Sequence, residues 1–207
     1  MQTIRLFVRL SPILFVFLSF CGQKALETVE AKNDRGQLER WQKRQGSDKK
    51  DGIYQRFSEK GTLLEEAFYI ADSLQGDRKY YSETGQLEAV EHYDKNQLHG
   101  KFNSFYPDGQ LKIEQDFIRG SLTGMSIRYY PNGKMLEKVT LKDNVENGLF
   151  VEYYDSGNLK TEGQYAPDED GDGVENGELK EYDEAGVLVR IAACTYGTCI
   201  TTWKKEK

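Results

Sequence analysis

The sequence has few aliphatic residues, and this shortage narrows the kinds of fold it can adopt. Only 38% of its 207 residues are hydrophobic, whereas 30% are charged. A compact domain of this size normally carries more aliphatic side chains for a deep core. Aromatic residues nevertheless reach 12%, with 13 tyrosines, so the chain is not a disordered polyelectrolyte. We therefore expect a thin sheet in which each ring packs against its neighbours and keeps its hydroxyl hydrated.

The sequence also lacks a cluster of basic residues. It contains 28 Lys and Arg against 34 Asp and Glu, a formal net charge of -6. Without residues 1–20 the count is 26 against 34, a net charge of -8. Binding of phosphate groups needs clustered cations, and no arginine-rich run is present. Nucleic acid and anionic lipid headgroups are therefore poor candidate partners.

The first residues have the features of a targeting segment. Arg5 and Arg9 precede an apolar run over residues 10–20, which is long enough for a signal peptide and too short for a lasting transmembrane helix. The run ends at Cys21 in a segment that resembles the bacterial lipobox, although Phe20 stands where a small residue is usual. We predict a signal peptide over residues 1–20 and a lipid on Cys21. Ordinary cleavage nearby or a retained anchor are the alternatives.

Residues 21–51 are predicted to be a tether that begins at the lipidated cysteine. This segment is strongly charged, for example in the run Asp48-Lys49-Lys50-Asp51. Within it, Gly36-Gln37-Leu38 is similar to part of the repeat described next. A degenerate half-repeat could therefore begin in this segment.

Glycines define an internal repeat that runs through the rest of the chain. One set is spaced 24 residues apart, with a last interval of 29, and consists of Gly52, Gly76, Gly100, Gly124, Gly148 and Gly177. After each of these, a second glycine follows nine residues on and a long aliphatic residue two positions later, as in Gly109 and Leu111. Five residues after the first glycine stands an aromatic ladder: Phe57, Tyr81, Phe105, Tyr129, Tyr153 and Tyr182. Six copies with these spacings indicate a repeat protein.

Each copy contains two turn signals and two short strands. Segments such as Pro107-Asp108-Gly109 combine residues that favour tight turns. A second turn is predicted at residue types that tolerate left-handed backbone, such as Asn96 and Asn144. Leu63 and Tyr69, six residues apart, are expected on one face of their strand. A single hairpin cannot bury its apolar face, so the sequence predicts an all-β, elongated antiparallel meander of about six stacked hairpins over residues 52–207.

This pattern resembles the MORN-repeat family, specifically the bacterial variant whose members are often labelled antitoxin components. The resemblance covers residues 52–191 and rests on Phe117-x-x-Gly120-x-x-x-Gly124 and on Tyr153-Tyr154-x-x-Gly157-x-Leu159. It implies protein-interaction or scaffolding roles. The antitoxin label would imply binding and silencing of a toxin, a role for which a signal peptide is not needed.

The sequence does not contain the residue arrangements that an enzyme needs. The two histidines, His92 and His99, occupy repeat positions where other copies have residues such as Phe68 or Thr123. The glycines are explained by turns, and no metalloprotease motif or phosphate-binding loop is present. We therefore predict that the protein is not an enzyme.

An insertion between the fifth and sixth repeats is the one segment with potential metal chemistry. Asp168, Asp170 and Asp172, with Gly173 next in sequence, match the first half of a calcium-binding loop. The second half does not match, since Leu179 stands where a bidentate Glu is expected. Two interpretations stay open, a weak structural calcium site and an acidic turn extension; no other cofactor is expected.

Cys194 and Cys199 are the only cysteines besides Cys21. A two-residue turn at Tyr196-Gly197 would place them opposite each other, where side chains of an antiparallel pair lie closest. In an oxidising compartment a disulfide is the expected outcome, and it would staple the last hairpin. Free thiols or half of a metal site are the alternatives.

Taken together, these features predict a non-catalytic interaction or scaffold module. We expect it to be secreted across the inner membrane and lipid-anchored in the cell envelope, on the outer membrane or its periplasmic face. Its partner would be an unidentified protein, with the membrane contacted through the lipid and no nucleic acid bound. An antitoxin that neutralises a toxin is one alternative. A carbohydrate- or peptide-binding surface protein that uses the aromatic ladder as its platform is another.

Overall fold

The computed structural model describes residues 25–206, and these form sixteen β-strands. The strands are β1 (Leu26–Lys32), β2 (Leu38–Arg44), β3 (Lys50–Phe57), β4 (Leu63–Ile70), β5 (Ser73–Tyr81), β6 (Leu87–Asp94), β7 (Gln97–Phe105), β8 (Leu111–Ile118), β9 (Ser121–Tyr129), β10 (Met135–Lys142), β11 (Val145–Tyr153), β12 (Leu159–Pro167), β13 (Gly173–Glu175), β14 (Gly177–Tyr182), β15 (Leu188–Thr195) and β16 (Thr198–Lys204). No helix occurs within this part of the chain, so none is available to span a membrane there.

All sixteen strands belong to one open sheet in which neighbours in sequence are neighbours in space. Every pairing is antiparallel, and β13 is the one strand off the main path, paired only with β12. Strands β1 and β16 are the outermost strands of the sheet. The predicted all-β meander of stacked hairpins is confirmed.

The segment predicted to be a tether with a possible degenerate half-repeat, residues 21–51, contains β1 and β2. These strands pair from Leu26 with Arg44 to Lys32 with Leu38, and β2 continues onto β3. The similarity of Gly36-Gln37-Leu38 to the repeat reflects a true hairpin turn, since Gly36 N–H donates to Asn33 O at 2.9 Å. High charge did not prevent strand formation, because ion pairs such as Arg40–Glu30 at 2.7 Å lie on the sheet surface.

The turns that connect the strands lie along the two long edges of the sheet, where the strand ends meet, and each edge has its own kind of turn. At the edge that we call the glycine-turn edge, the fourth turn residue is a glycine with positive φ, as at Gly109, whose N–H donates to Tyr106 O at 2.8 Å. At the opposite edge, two-residue turns such as Lys95-Asn96 have φ values of 49° and 67°. These are the left-handed values for which the sequence predicted Asn and Gly.

The cross-strand register defines two faces. The core face carries the most buried side chains, in two clusters around Tyr54, Ala67 and Leu74 and around Val139, Leu141 and Phe150. The open face carries the alternate residues, such as Lys79, Glu114, Lys138 and Val151. No second layer of the described residues covers either face, so burial comes from side chains on adjacent strands.

A bulge in each repeat changes which residues share a face. Phe57 pairs with Leu63 while its neighbour Arg56 pairs with Glu65, so one extra residue lies in β4 between the two pairs. The bulge places Leu63 on the open face and Tyr69, which is aligned with Glu65, on the core face. The expectation that Leu63 and Tyr69 share a face is therefore wrong, because even spacing holds only in a regular strand.

Candidate functional site

The core face carries a buried ion triplet near its N-terminal end. Glu65, whose side chain is 5% exposed, forms an ion pair with Arg56 at 2.9 Å through one carboxylate oxygen. Its other oxygen contacts Arg78 at 2.7 Å. Burial opposes the charge of Arg78, but the Glu65 carboxylate outweighs it and raises the pKa of that guanidinium. The triplet joins β3, β4 and β5 beside the apolar cluster of Tyr54, Ala67 and Leu74 on the same strands.

Tyrosines extend this polar network towards the middle of the sheet. The hydroxyls of Tyr80 and Tyr93 both donate to the same oxygen of Glu91, each at 3.0 Å. Burial, together with the nearby Glu91 carboxylate, raises the pKa of both phenols. These phenols therefore keep their protons at neutral pH and act as donors.

The C-terminal half of the core face contains the larger apolar cluster. Phe150 and Tyr165 stack with ring centroids 4.3 Å apart. Between Phe150 and Leu179 lies Gly163, where an added Cβ would approach ring atoms of Phe150 to 2.9 Å. Burial, followed by the charge of Glu146, raises the pKa of Tyr165 to about 12.

The aromatic ladder lies on the open face, next to the glycine-turn edge. Each ladder residue pairs with the aliphatic residue of its own repeat, as Phe57 with Leu63 and Phe105 with Leu111. All six ladder rings are half-buried rather than exposed. Their packing against aliphatic neighbours accounts for their spacing, and it gives the open face an apolar border.

The two histidines have structural surroundings. His92 Nδ1 lies 2.8 Å from Asp77 Oδ1, and both side chains are about half exposed. Arg119 N–H donates to His99 Nδ1 at 3.4 Å. Within residues 25–206, no three His, Cys, Asp or Glu side chains are grouped so that they could hold a metal ion.

The structure does not bring the three aspartates of the insertion together as calcium ligands. Asp168 Oδ1 instead accepts the N–H groups of Asp170 at 3.0 Å and Asp172 at 2.9 Å. The segment forms the same kind of turn as the glycine-turn edge, with Gly171 at φ 87°. It closes an extended hairpin of β12 and β13, because Asp at a turn start bonds its own backbone.

The C-terminal cysteines lie opposite each other in the last hairpin. The register pairs Thr195 with Thr198 and Cys194 with Cys199, and the two cysteine sulfurs are bonded. Cys194 is 4% exposed and belongs to the core cluster. The predicted lipidation site, Cys21, lies outside the described residues.

Sequence reasoning missed a set of hydrogen bonds that join successive repeats at the glycine-turn edge. The hydroxyl of Tyr106 donates to Tyr129 O at 2.7 Å, and that of Tyr130 donates to Tyr153 O at 2.8 Å. Tyr154 reaches Tyr182 O at 2.9 Å in the same way. The spacing of these second tyrosines by 24 residues was the available signal.

Comparison with known proteins identifies the repeat. A family model described as "MORN repeat variant" matches five consecutive segments, residues 50–71, 74–95, 98–118, 122–143 and 146–166. These segments coincide with β3 to β12, and together they cover about half of the chain. A search of curated proteins found no significant match.

Proposed function

The chain belongs to the MORN repeat variant family, and on that premise we propose that it is a protein-interaction scaffold displayed at the bacterial cell envelope. Repeats of this family generally mediate protein or membrane interactions and are generally not catalytic. The finer parts of the proposal are the protein partner, the envelope location and attachment through a lipid on Cys21.

The observation that carries the proposal is the single-layer sheet. Fifteen strands follow one another on its main path, so at about 4.8 Å per strand the sheet extends on the order of 70 Å. Within the described residues both faces stay uncovered, and two clefts on the open face are accessible to solvent. Such a surface offers many contact positions on a rigid frame, as in other repeat proteins.

Charge supports attachment through a lipid rather than through the sheet itself. Residues 25–206 contain 24 Lys and Arg against 34 Asp and Glu, a formal net charge of -10. An acidic sheet is repelled by anionic headgroups. A lipidated N-terminus would hold the sheet near the membrane and leave its faces free for proteins.

Fractionation of cells tests the location. The wild-type protein should fractionate with membranes, whereas Cys21→Ala should appear in the soluble extracytoplasmic fraction. Ser19→Ala is the control, because it alters the same segment and keeps the cysteine. Retention of Cys21→Ala in the membrane would contradict lipid anchoring, and a wild-type protein found in the cytoplasm with a bound toxin would favour the antitoxin alternative.

Site-specific photo-crosslinking in intact envelopes tests the interaction role. A photoreactive residue placed on the open face should give discrete adducts with another protein. If no position on either face yields a protein adduct, the scaffold proposal fails.

A further inference from the structure

A cleft with one aliphatic wall and one charged wall lies on the open face of the fifth and sixth repeats. Leu149 is 71% exposed, the highest value among the large hydrophobic side chains exposed in residues 25–206. It borders a cleft of about 320 Å³ whose lining also includes Val151 and, on the neighbouring strands, Glu162, Gln164, Glu178 and Lys180. An aliphatic wall beside two carboxylates is therefore open to a partner.

The equivalent positions of the second and third repeats are closed by polar contacts, whereas the first and fourth repeats carry Ile53, 45% exposed, and Met125, 40% exposed. Leu149 is paired across β11 and β12 with Gln164. At the same repeat positions, Asp77 contacts His92 at 2.8 Å and Lys101 contacts Asp116 at 2.9 Å. The fifth repeat has no such contact at this position, and its Leu149 is the most exposed of the three apolar side chains found there.

Charge is distributed unevenly along the sheet, and the cleft lies in its acidic part. Residues 25–144 contain 19 Lys and Arg against 20 Asp and Glu, a net charge of -1. Residues 145–206 contain 5 against 14, a net charge of -9. Lys180, the basic residue of the cleft, already contacts Glu178 at 2.9 Å and Glu162 at 3.9 Å. A cationic ligand therefore matches the surroundings of the cleft.

We propose that this cleft binds a basic amphipathic segment of a partner protein. An aliphatic side chain of the partner lies against Leu149 and Val151, while its Lys or Arg side chains contact Glu162 and Glu178. The inference rests on the proposed scaffold function and names the surface and the chemistry of its partner. A second copy of the same region is disfavoured as occupant, because it would bring two net charges of -9 together.

Fluorescence anisotropy with a labelled peptide of alternating Lys and Leu tests the site on the intact protein. We expect Leu149→Asp to weaken binding roughly tenfold or more, as expected when the burial of one leucine is lost. The added negative charge distinguishes two models. If the cationic peptide bound only through electrostatics, Leu149→Asp would raise its affinity, whereas loss of the apolar contact lowers it. The double variant Glu162→Gln with Glu178→Gln should weaken binding and reduce its dependence on salt.

Ile53→Asp is the matched control. Ile53 occupies the same repeat position as Leu149, is 45% exposed and lies in the part of the sheet with balanced charge. It should leave peptide affinity unchanged. Equal weakening by Ile53→Asp, no weakening by Leu149→Asp, or equal binding of a Glu–Leu peptide would each overturn the proposal.

Crosslinking separates this proposal from the scaffold function. A photoreactive residue at position 149 should form protein adducts in the envelope, whereas one at position 53 should not form the same adducts. Adducts obtained from other positions but not from position 149 would contradict the proposal for the cleft without contradicting the scaffold function.

Discussion

Asn144 satisfies both backbone groups of Leu122, a residue one repeat earlier. Its side-chain Oδ1 accepts the Leu122 N–H at 2.8 Å, and its own N–H donates to Leu122 O at 2.9 Å. Asn96 bonds Leu74 in the same two ways, at 2.7 Å and 3.1 Å. At the edge opposite the glycine-turn edge, the side chains of Asn96 and Asn144 thereby couple neighbouring repeats.

Replacing Asn144 by glycine should lower the free energy of unfolding, and replacing Gly120 by asparagine should raise it. Asn144→Gly keeps the positive φ of 71° but removes the acceptor, and we expect a loss of about 1 kcal/mol in the free energy of unfolding. Gly120 retains only the backbone bond to Leu98, so Gly120→Asn should add a similar amount. Urea unfolding measures both. A shift of both variants in the same direction would contradict the coupling role.

Removal of Glu65 should destabilise the N-terminal repeats strongly. Glu65→Ala leaves Arg56 and Arg78, which are 22% and 29% exposed, without their shared counter-ion. A loss of roughly 3 kcal/mol is expected when one partner of a buried ion cluster is removed. The control is Glu66→Ala on the open face, where only Gln55 is bonded, at 3.0 Å. Similar losses for both variants would show that the triplet has no special role.

The architecture could be predicted because the residues that indicate turns and strands recur six times at nearly constant spacing. Glycine and Asn positions fix the turns, and hairpins too small to bury their own faces must stack. The side of each strand could not be predicted in the same way. The bulge after the glycine turn moves Leu63 to the open face, and nothing in the spacing from Gly61 to Tyr69 marks where the extra residue lies.

The site was less predictable than the fold. The exposed leucine at position 149 was hidden in the sequence, because an aliphatic residue in a strand normally indicates a core position. Leu149 is exposed because the strand register places it on the open face. The bulges change that register, and the sequence does not show where they lie. The Arg56–Glu65–Arg78 triplet likewise joins residues of three strands, and nothing in their sequence spacing marks them as neighbours.

High pH should destabilise the protein partly through Tyr165. An unfolded tyrosine loses its proton near pH 10, whereas burial raises the pKa of Tyr165 to about 12 in the folded chain. Between these values the unfolded chain binds fewer protons, so the free energy of unfolding falls as pH rises. Tyr165→Phe should make this fall shallower in urea unfolding measured from about pH 9 to about pH 12. An identical slope in the variant would contradict the assignment.

The last hairpin should loosen locally when its cysteines are replaced. Closing so short a loop contributes about 2 kcal/mol in the chain-entropy description, so the double variant Cys194→Ala with Cys199→Ala should lose up to that amount. Hydrogen exchange should accelerate in β15 and β16 and stay unchanged around Trp41 in β2, because repeats stabilise mainly their neighbours. Mass analysis of the unreduced protein should find neither Cys194 nor Cys199 alkylatable. Free thiols at both positions would contradict the disulfide.

The acidic insertion should respond to loss of one aspartate and not to calcium. Asp168 Oδ1 accepts two backbone N–H groups, as Asp183 does from Ala185 and Val187 at the opposite edge. Asp168→Ala should therefore lower the free energy of unfolding by about 1 kcal/mol. The control, Asp170→Ala, should leave stability unchanged because its side chain is exposed and Asp170 contributes only its N–H to this turn. Millimolar calcium should leave Tm unchanged in the wild type; a rise that is abolished by Asp170→Asn with Asp172→Asn would instead establish a calcium site.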